Sequence, residues 1–227
     1  MGRVDSLLQD VCGSPEHPLT GRLRGWLQGS RAFTAFVEVN ASKVRRKLRI
    51  TDTDALLDVE AELAVAAWLL CERRWALAYE PLAASGGRGP DFRVDSPGGG
   101  TPFFVEVTRL RGAGGILPMT LARTLAAKVE QLPSGAVTVL AVLLPPGVDG
   151  PDVLANALRR LEQATQTAGE TPGGLDGRAF ARGRVRLSAV LLGSLDDAGT
   201  LHTTLYTLPG ARHPLPPETA RRLRALG

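Results

Sequence analysis

Two short stretches decide how this chain is read: Pro90-Asp91-Phe92-Arg93-Val94 and, after a Pro97-Gly98-Gly99-Gly100 turn, Pro102-Phe103-Phe104-Val105-Glu106-Val107-Thr108. Both carry the β-branched and aromatic residues of strands, and both are bounded by glycine and proline. Alternation puts Phe104, Glu106 and Thr108 on one face of the second strand and Phe103, Val105 and Val107 on the other. Asp91 starts the first strand, after the turn Gly86-Gly87-Arg88-Gly89. An acid inside a strongly apolar strand is uncommon, because its charge loses water there. Two carboxylates on adjacent strands can converge on a divalent cation. Oxygen ligands from Asp, Glu and a backbone carbonyl suit magnesium or manganese, and such an ion can activate water against a phosphoryl group.

Outward from these strands, the pattern remains α/β. Residues 76–80 form a shorter strand ended by Pro81. Before it, Thr53 or Asp54 can cap a helix over 54–73, with Val59, Leu63, Ala66 and Leu70 in one stripe. Glu62 lies beside that stripe, while Glu60 points elsewhere. After the Glu106 strand come a glycine loop and a helix near 117–132. Its Leu121, Leu125 and Leu132 form a stripe that also holds Lys128, with Gln131 three residues on. A lysine on such a stripe usually snorkels to water; this one can instead reach the carboxylates across the sheet. Residues 136–144 are almost wholly apolar, as in a central strand covered on both faces. A helix at 151–166, a glycine-rich loop at 169–177 and strands near 185–192 and 201–207 follow. Residues 54–210 therefore read as one core. Residues 1–53 read as an N-terminal helical extension interrupted by Pro15 and Pro18, and 211–227 as a basic tail.

Charge narrows the partners. A net charge of +4 permits contact with nucleic acid without demanding it. The N-terminal basic run holds Lys43, Arg45, Arg46, Lys47 and Arg49. Val44 and Leu48 lie four apart within it, so it can form a helix with a charged outer face suited to phosphates. Arg109 and Arg111 follow the Glu106 strand at the same sheet end. A solvated surface accounts for either group equally well. Cys12 and Cys71 form no CxxC and read as reduced, buried thiols. The three histidines are scattered without a nucleophile and an acid partner beside them, so triad hydrolysis has no support. The glycine clusters match neither the Walker nor the dinucleotide-binding spacing. No signal peptide or membrane-length apolar run is present, so a cytoplasmic protein is expected.

Glu62, Pro90-Asp91, Glu106-Val107-Thr108 and Lys128-Val129-Glu130-Gln131 together resemble the PD-(D/E)XK nuclease superfamily over about residues 54–144. The resemblance implies a restriction endonuclease-like core with a central mixed sheet flanked by helices. It implies Mg2+ or Mn2+ held by Asp91, Glu106 and the Val107 carbonyl, with Glu62 as auxiliary acid and Gln131 as the polar residue of the second helix. It also implies hydrolysis of nucleic acid, with DNA the usual polymer, and a homodimer if both strands are cut. The chain departs from the pattern at Thr108, where the E-x-K half-motif has lysine. Lys128 would be the migrated lysine, as in known variants. The alternative is an inactive relative that binds nucleic acid or a protein partner. Residue by residue, Asp91 can instead stiffen its turn, and Glu106 can form a structural ion pair with Arg109 or Lys128.

Overall fold

The computed structural model describes residues 2–82, 89–166 and 174–227. The turn residues 86–88 and loop residues 169–173 lie outside the described residues. Six strands form one mixed sheet in chain order: β1 (Ala76–Tyr79), β2 (Phe92–Asp95), β3 (Phe103–Arg109), β4 (Val137–Leu144), β5 (Ala189–Leu195) and β6 (Leu201–Thr207). β1, β2 and β3 are antiparallel, β3, β4 and β5 are parallel, and β6 returns antiparallel. The parallel pairs need crossovers. α6 (Leu117–Gln131) makes the first, while α7 (Gly150–Gln166) and α8 (Gly177–Gly183) make the second.

Every residue of β4 is buried, as its unbroken apolar run requires. Leu140, Val142, Val190 and Leu192 face α6, α7 and α8 in one cluster. Phe103, Val105, Val107, Val139 and Leu191 belong to a second cluster on the opposite face. That cluster takes in α1 (Arg3–Cys12), α2 (Thr20–Gly29), α3 (Arg31–Val39), α4 (Ala41–Leu48), α5 (Thr53–Leu69) and α9 (Pro217–Ala225). The helices of residues 1–53 and the C-terminal helix thus share a core with the sheet.

Several local expectations need correction. Asp52, rather than Thr53 or Asp54, caps α5, its carboxylate accepting from the Ala55 N–H at 2.7 Å. Residues 184–186 form a 3-10 turn, and β5 starts only at Ala189. The tail folds into the full helix α9, whose Ala220 and Leu223 are buried. Cys71 is exposed and Cys12 half-buried, so neither is a core thiol. Trp68 and Trp75 are buried, as their apolar neighbours suggest. Among the described residues, no helix is long and apolar enough to cross a membrane.

Candidate metal centre

The site forms where β2 stops and β3 continues. The last paired residues are Phe92 and Val105, yet β3 runs on to Arg109. Backbone groups of β3 beyond that point lose their strand partner. Asp91 takes one of them: the Val107 N–H donates to Asp91 Oδ2 at 2.7 Å. The carbonyl of a strand residue points to the same side as its N–H, so the Val107 oxygen faces this gap too. The backbone of Asp91 is fixed in turn, its carbonyl accepting from the Glu80 N–H at 2.7 Å. Glu80 has φ +46°, the left-handed region that costs a residue with a Cβ free energy.

Glu106 lies on the α6 side of the sheet, opposite Leu140 of β4. Lys128 of α6 reaches over to it, and the ammonium donates to Glu106 Oε1. Glu62 approaches from α5 on the other face. Its Oε2 accepts from the Tyr79 hydroxyl at 2.6 Å and from Lys47 Nζ at 2.5 Å. Lys47 also pairs with Glu80 at 3.1 Å. Burial opposes the lysine's charge, but Glu62 and Glu80 outweigh it and raise its pKa. Burial, with Glu62 next to it, pushes the Tyr79 hydroxyl upward, so it stays a donor.

Glu62, Asp91, Glu106, Val107, Thr108 and Lys128 line a single cavity of about 350 Å3. Glu106 and Glu62 each have a lysine, but among the described residues Asp91 has none within bonding range. Its pKa is pushed up to about 7, first by burial and then by Glu62 and Glu106, with only partial relief from the Val107 N–H and Lys47. A protein that held this cluster for stability alone would be better served by a neutral side chain. Among the described residues, no three Asp, Glu, His or Cys side chains converge closely enough to hold an ion by themselves. A divalent ion here would rest on Asp91, Glu106 and the Val107 carbonyl, with water completing its shell. The donor set fits: all three are oxygens, and the cation would relieve the repulsion that burdens Asp91.

The basic residues, read from sequence either as a phosphate-contacting patch or as solvated surface, make mostly intramolecular pairs here. Lys43 donates to the Tyr79 carbonyl at 2.6 Å, Arg45 binds Asp10, and Arg46 lies 3.3 Å from Glu80. Lys47 belongs to the acid cluster itself. Arg49 is exposed. The outer face of α4 is therefore largely engaged within the protein. Arg109 is gripped by Asp54 at 2.6 Å and Asp58 at 3.1 Å, and Arg111 by Asp58 at 2.6 Å. Both arginines still border the cavity. Gln131 lies farther along α6 and lines an adjoining cavity instead.

No protein-family model, curated protein or solved structure matches this chain.

Sequence reasoning missed Lys47, Tyr79 and Glu80 as neighbours of the acids. One signal was available for Lys47. It follows Val44 by three and precedes Leu48, so its stem flanks the buried stripe and its ammonium is carried inward.

Proposed function

We propose that this chain is a divalent-metal-dependent phosphodiesterase on a restriction endonuclease-like core, with DNA as its polymer. One observation carries the reading. Asp91, Glu106 and the Val107 backbone meet at the gap where β2 leaves β3, with Glu62 and Lys128 on the same cavity wall. That grouping brings together the residues on which the PD-(D/E)XK resemblance rests, except Gln131, which lines the adjoining cavity. The fold agrees in outline, with a helix, an antiparallel hairpin, and a parallel strand-helix-strand unit in that order.

A divalent cation at Asp91 and Glu106 would supply a Lewis acid and a water of lowered pKa. The chain's own groups do the rest. Lys128 fixes the Glu106 carboxylate and has further N–H bonds to offer a water or a phosphate oxygen. Lys47 and Tyr79 hold Glu62 at the cavity wall, with Oε2 occupied by both donors. Arg109 and Arg111 stand at the rim, where exchanging a carboxylate for a phosphate oxygen keeps each guanidinium paired. The second reading, an inactive binding protein, is favoured by one feature: Thr108 occupies the E-x-K lysine position, and Lys128 closes on Glu106 as an ion pair.

Labelled single-stranded, double-stranded and branched DNA incubated with Mg2+ or Mn2+ separates the two. The first reading expects metal-dependent cutting that falls by about 100-fold or more in Asp91→Ala. Binding without cutting, unchanged by metal, would leave the inactive relative.

A further inference from the structure

Beside the acid cluster lies a second cavity of about 500 Å3, within the range of roughly 300–1,000 Å3 that small-molecule pockets occupy. It shares Glu106, Thr108 and Lys128 with the first, so the two adjoin through that ion pair. The chemistry of their walls differs. The first is bordered by Arg109 and Arg111 as well as the acids. Beyond the shared pair, the described residues that line the second are uncharged: Gly89, Thr108, Thr124, Ala127, Gln131 and Leu132. Among the described residues, a phosphate entering it would meet no cation but Lys128.

Such a wall suits a neutral group with apolar faces and hydrogen-bonding edges. The Gln131 amide both donates and accepts, and the hydroxyls of Thr108 and Thr124 do the same. The Thr124 hydroxyl already bonds the Thr120 carbonyl at 2.9 Å but retains acceptor capacity. Thr108 also decides the space. A lysine at that position would send a four-carbon stem from β3 into the region where the two cavities meet.

We infer that this second cavity receives the nucleobase of the nucleotide beside the scissile phosphate, so that the chain acts on single strands or frayed ends rather than on intact duplex. The placement of the phosphate rests on the phosphodiester reading above. A base inside a duplex must first be unstacked and unpaired, at a free-energy cost that a single strand does not incur. Lys128 sits at the junction, and the base lies one sugar away from the phosphate it would contact.

Two measurements test this. The first is fluorescence anisotropy in EDTA with a short fluorescein-labelled oligonucleotide, as a single strand and as a blunt duplex, on the parent and on Ala127→Phe. Ala127 is exposed on α6, so the ring fills the cavity without disturbing the core; circular dichroism checks the fold. Single strands should bind about tenfold tighter than duplex, and Ala127→Phe should remove about that factor for single strands only. Equal affinity for both forms, no binding of either, or a single-strand affinity indifferent to Ala127→Phe overturns the inference. The second is cleavage with Mg2+. A parent that cuts the interior of blunt duplex as fast as single strands overturns the base pocket and leaves the phosphodiester reading standing. A parent that cuts nothing, yet binds single strands selectively and loses this in Ala127→Phe, ends the phosphodiester reading and keeps the pocket.

Discussion

Helix α5 presents two glutamates, Glu60 and Glu62, two residues apart and in very different company. Glu60 is buried, and Arg22 meets it at 2.9 Å while also donating to the Asp196 carbonyl at 2.6 Å. Its charge has a dedicated partner, and that partner is itself held. Glu62 also has donors, Lys47 and Tyr79, but it looks onto a cavity with three more carboxylates, Asp58, Asp91 and Glu106. Burial alone does not distinguish the two places. The distinction lies in whether charge is balanced: the Glu60 pair is closed, whereas among the described residues the Glu62, Asp91 and Glu106 group leaves Asp91 without a paired cation. A closed pair serves the fold, and the acid group that raises Asp91 is the one on which the proposed metal site rests.

The largest test of this contrast is Glu60→Gln. It leaves Arg22 partly buried without its counter-charge. The cost is about 2–3 kcal/mol, below the roughly 3–5 kcal/mol of a fully buried pair because the arginine keeps some access to water. A lowered melting temperature checks it. A neutral outcome would mean that the Glu60 pair is not structural.

Asp91→Asn should have the opposite sign. The folded Asp91 titrates near 7, far above the unfolded carboxylate. Between these values the folded chain keeps a proton that the unfolded chain has released. Stability is therefore full below about pH 4 and is lost as pH rises through 7. Asparagine does not titrate, and its oxygen can still accept from the Val107 N–H. In metal-free buffer the variant should match the parent near pH 4 and exceed it by about 1–2 kcal/mol near pH 8. Urea unfolding at the two pH values measures this; a variant less stable than the parent at pH 8 would show Asp91 to be a structural residue.

How much of this was legible in the chain follows from the range of each signal. The β3 alternation is local, so Glu106 and Thr108 could be assigned a common face from sequence alone. Lys128 shares the stripe of Leu121 and Leu125, so its reach toward Glu106 also followed from helical spacing. Glu62 lay beside its stripe and does line the cavity. The basic run was harder. Its helix was visible in Val44 and Leu48, but the partners of Arg45 and Lys47 are Asp10, Glu62 and Glu80, set by how α4 docks. The same holds for Arg109 and Arg111, whose carboxylates lie on the first turns of α5. Ion pairs between distant elements leave no periodic trace. The gap beyond Phe92 also depends on where β2 stops pairing, and strand ends are the least determined feature of a sequence pattern.

Mn2+ sharpens the comparison further. If the ion binds ionised Asp91, it must displace the proton that the folded state retains below about pH 7. Apparent affinity should then weaken by about tenfold for each pH unit below that value and level off above it. Calorimetry in buffers of different ionisation heat should register the released proton at pH 6. Glu60→Gln should leave this profile unchanged, because its pair lies outside the cluster. Asp91→Asn should remove the profile. Mn2+ binding that is independent of pH would place the ion elsewhere.

The smallest effect belongs to Tyr79→Phe, which asks whether the Glu62 network behaves as a closed pair or as part of the open group. The ring is buried, stacked on Phe92 at 5.3 Å, and tilted against Phe36 at 5.7 Å, so phenylalanine keeps its packing. Only the hydroxyl is lost. A hydrogen bond to a charged group contributes about 1.5–3 kcal/mol, but Lys47 remains on the same oxygen and absorbs part of the loss, leaving about 1 kcal/mol. The remaining lysine can then draw Glu62 toward Glu80 and away from the cavity. A modest fall in melting temperature should therefore accompany a weaker hold on Mn2+, a pairing that Glu60→Gln cannot produce. A loss as large as that of Glu60→Gln, with Mn2+ binding unaltered, would move Glu62 into the same structural role as Glu60.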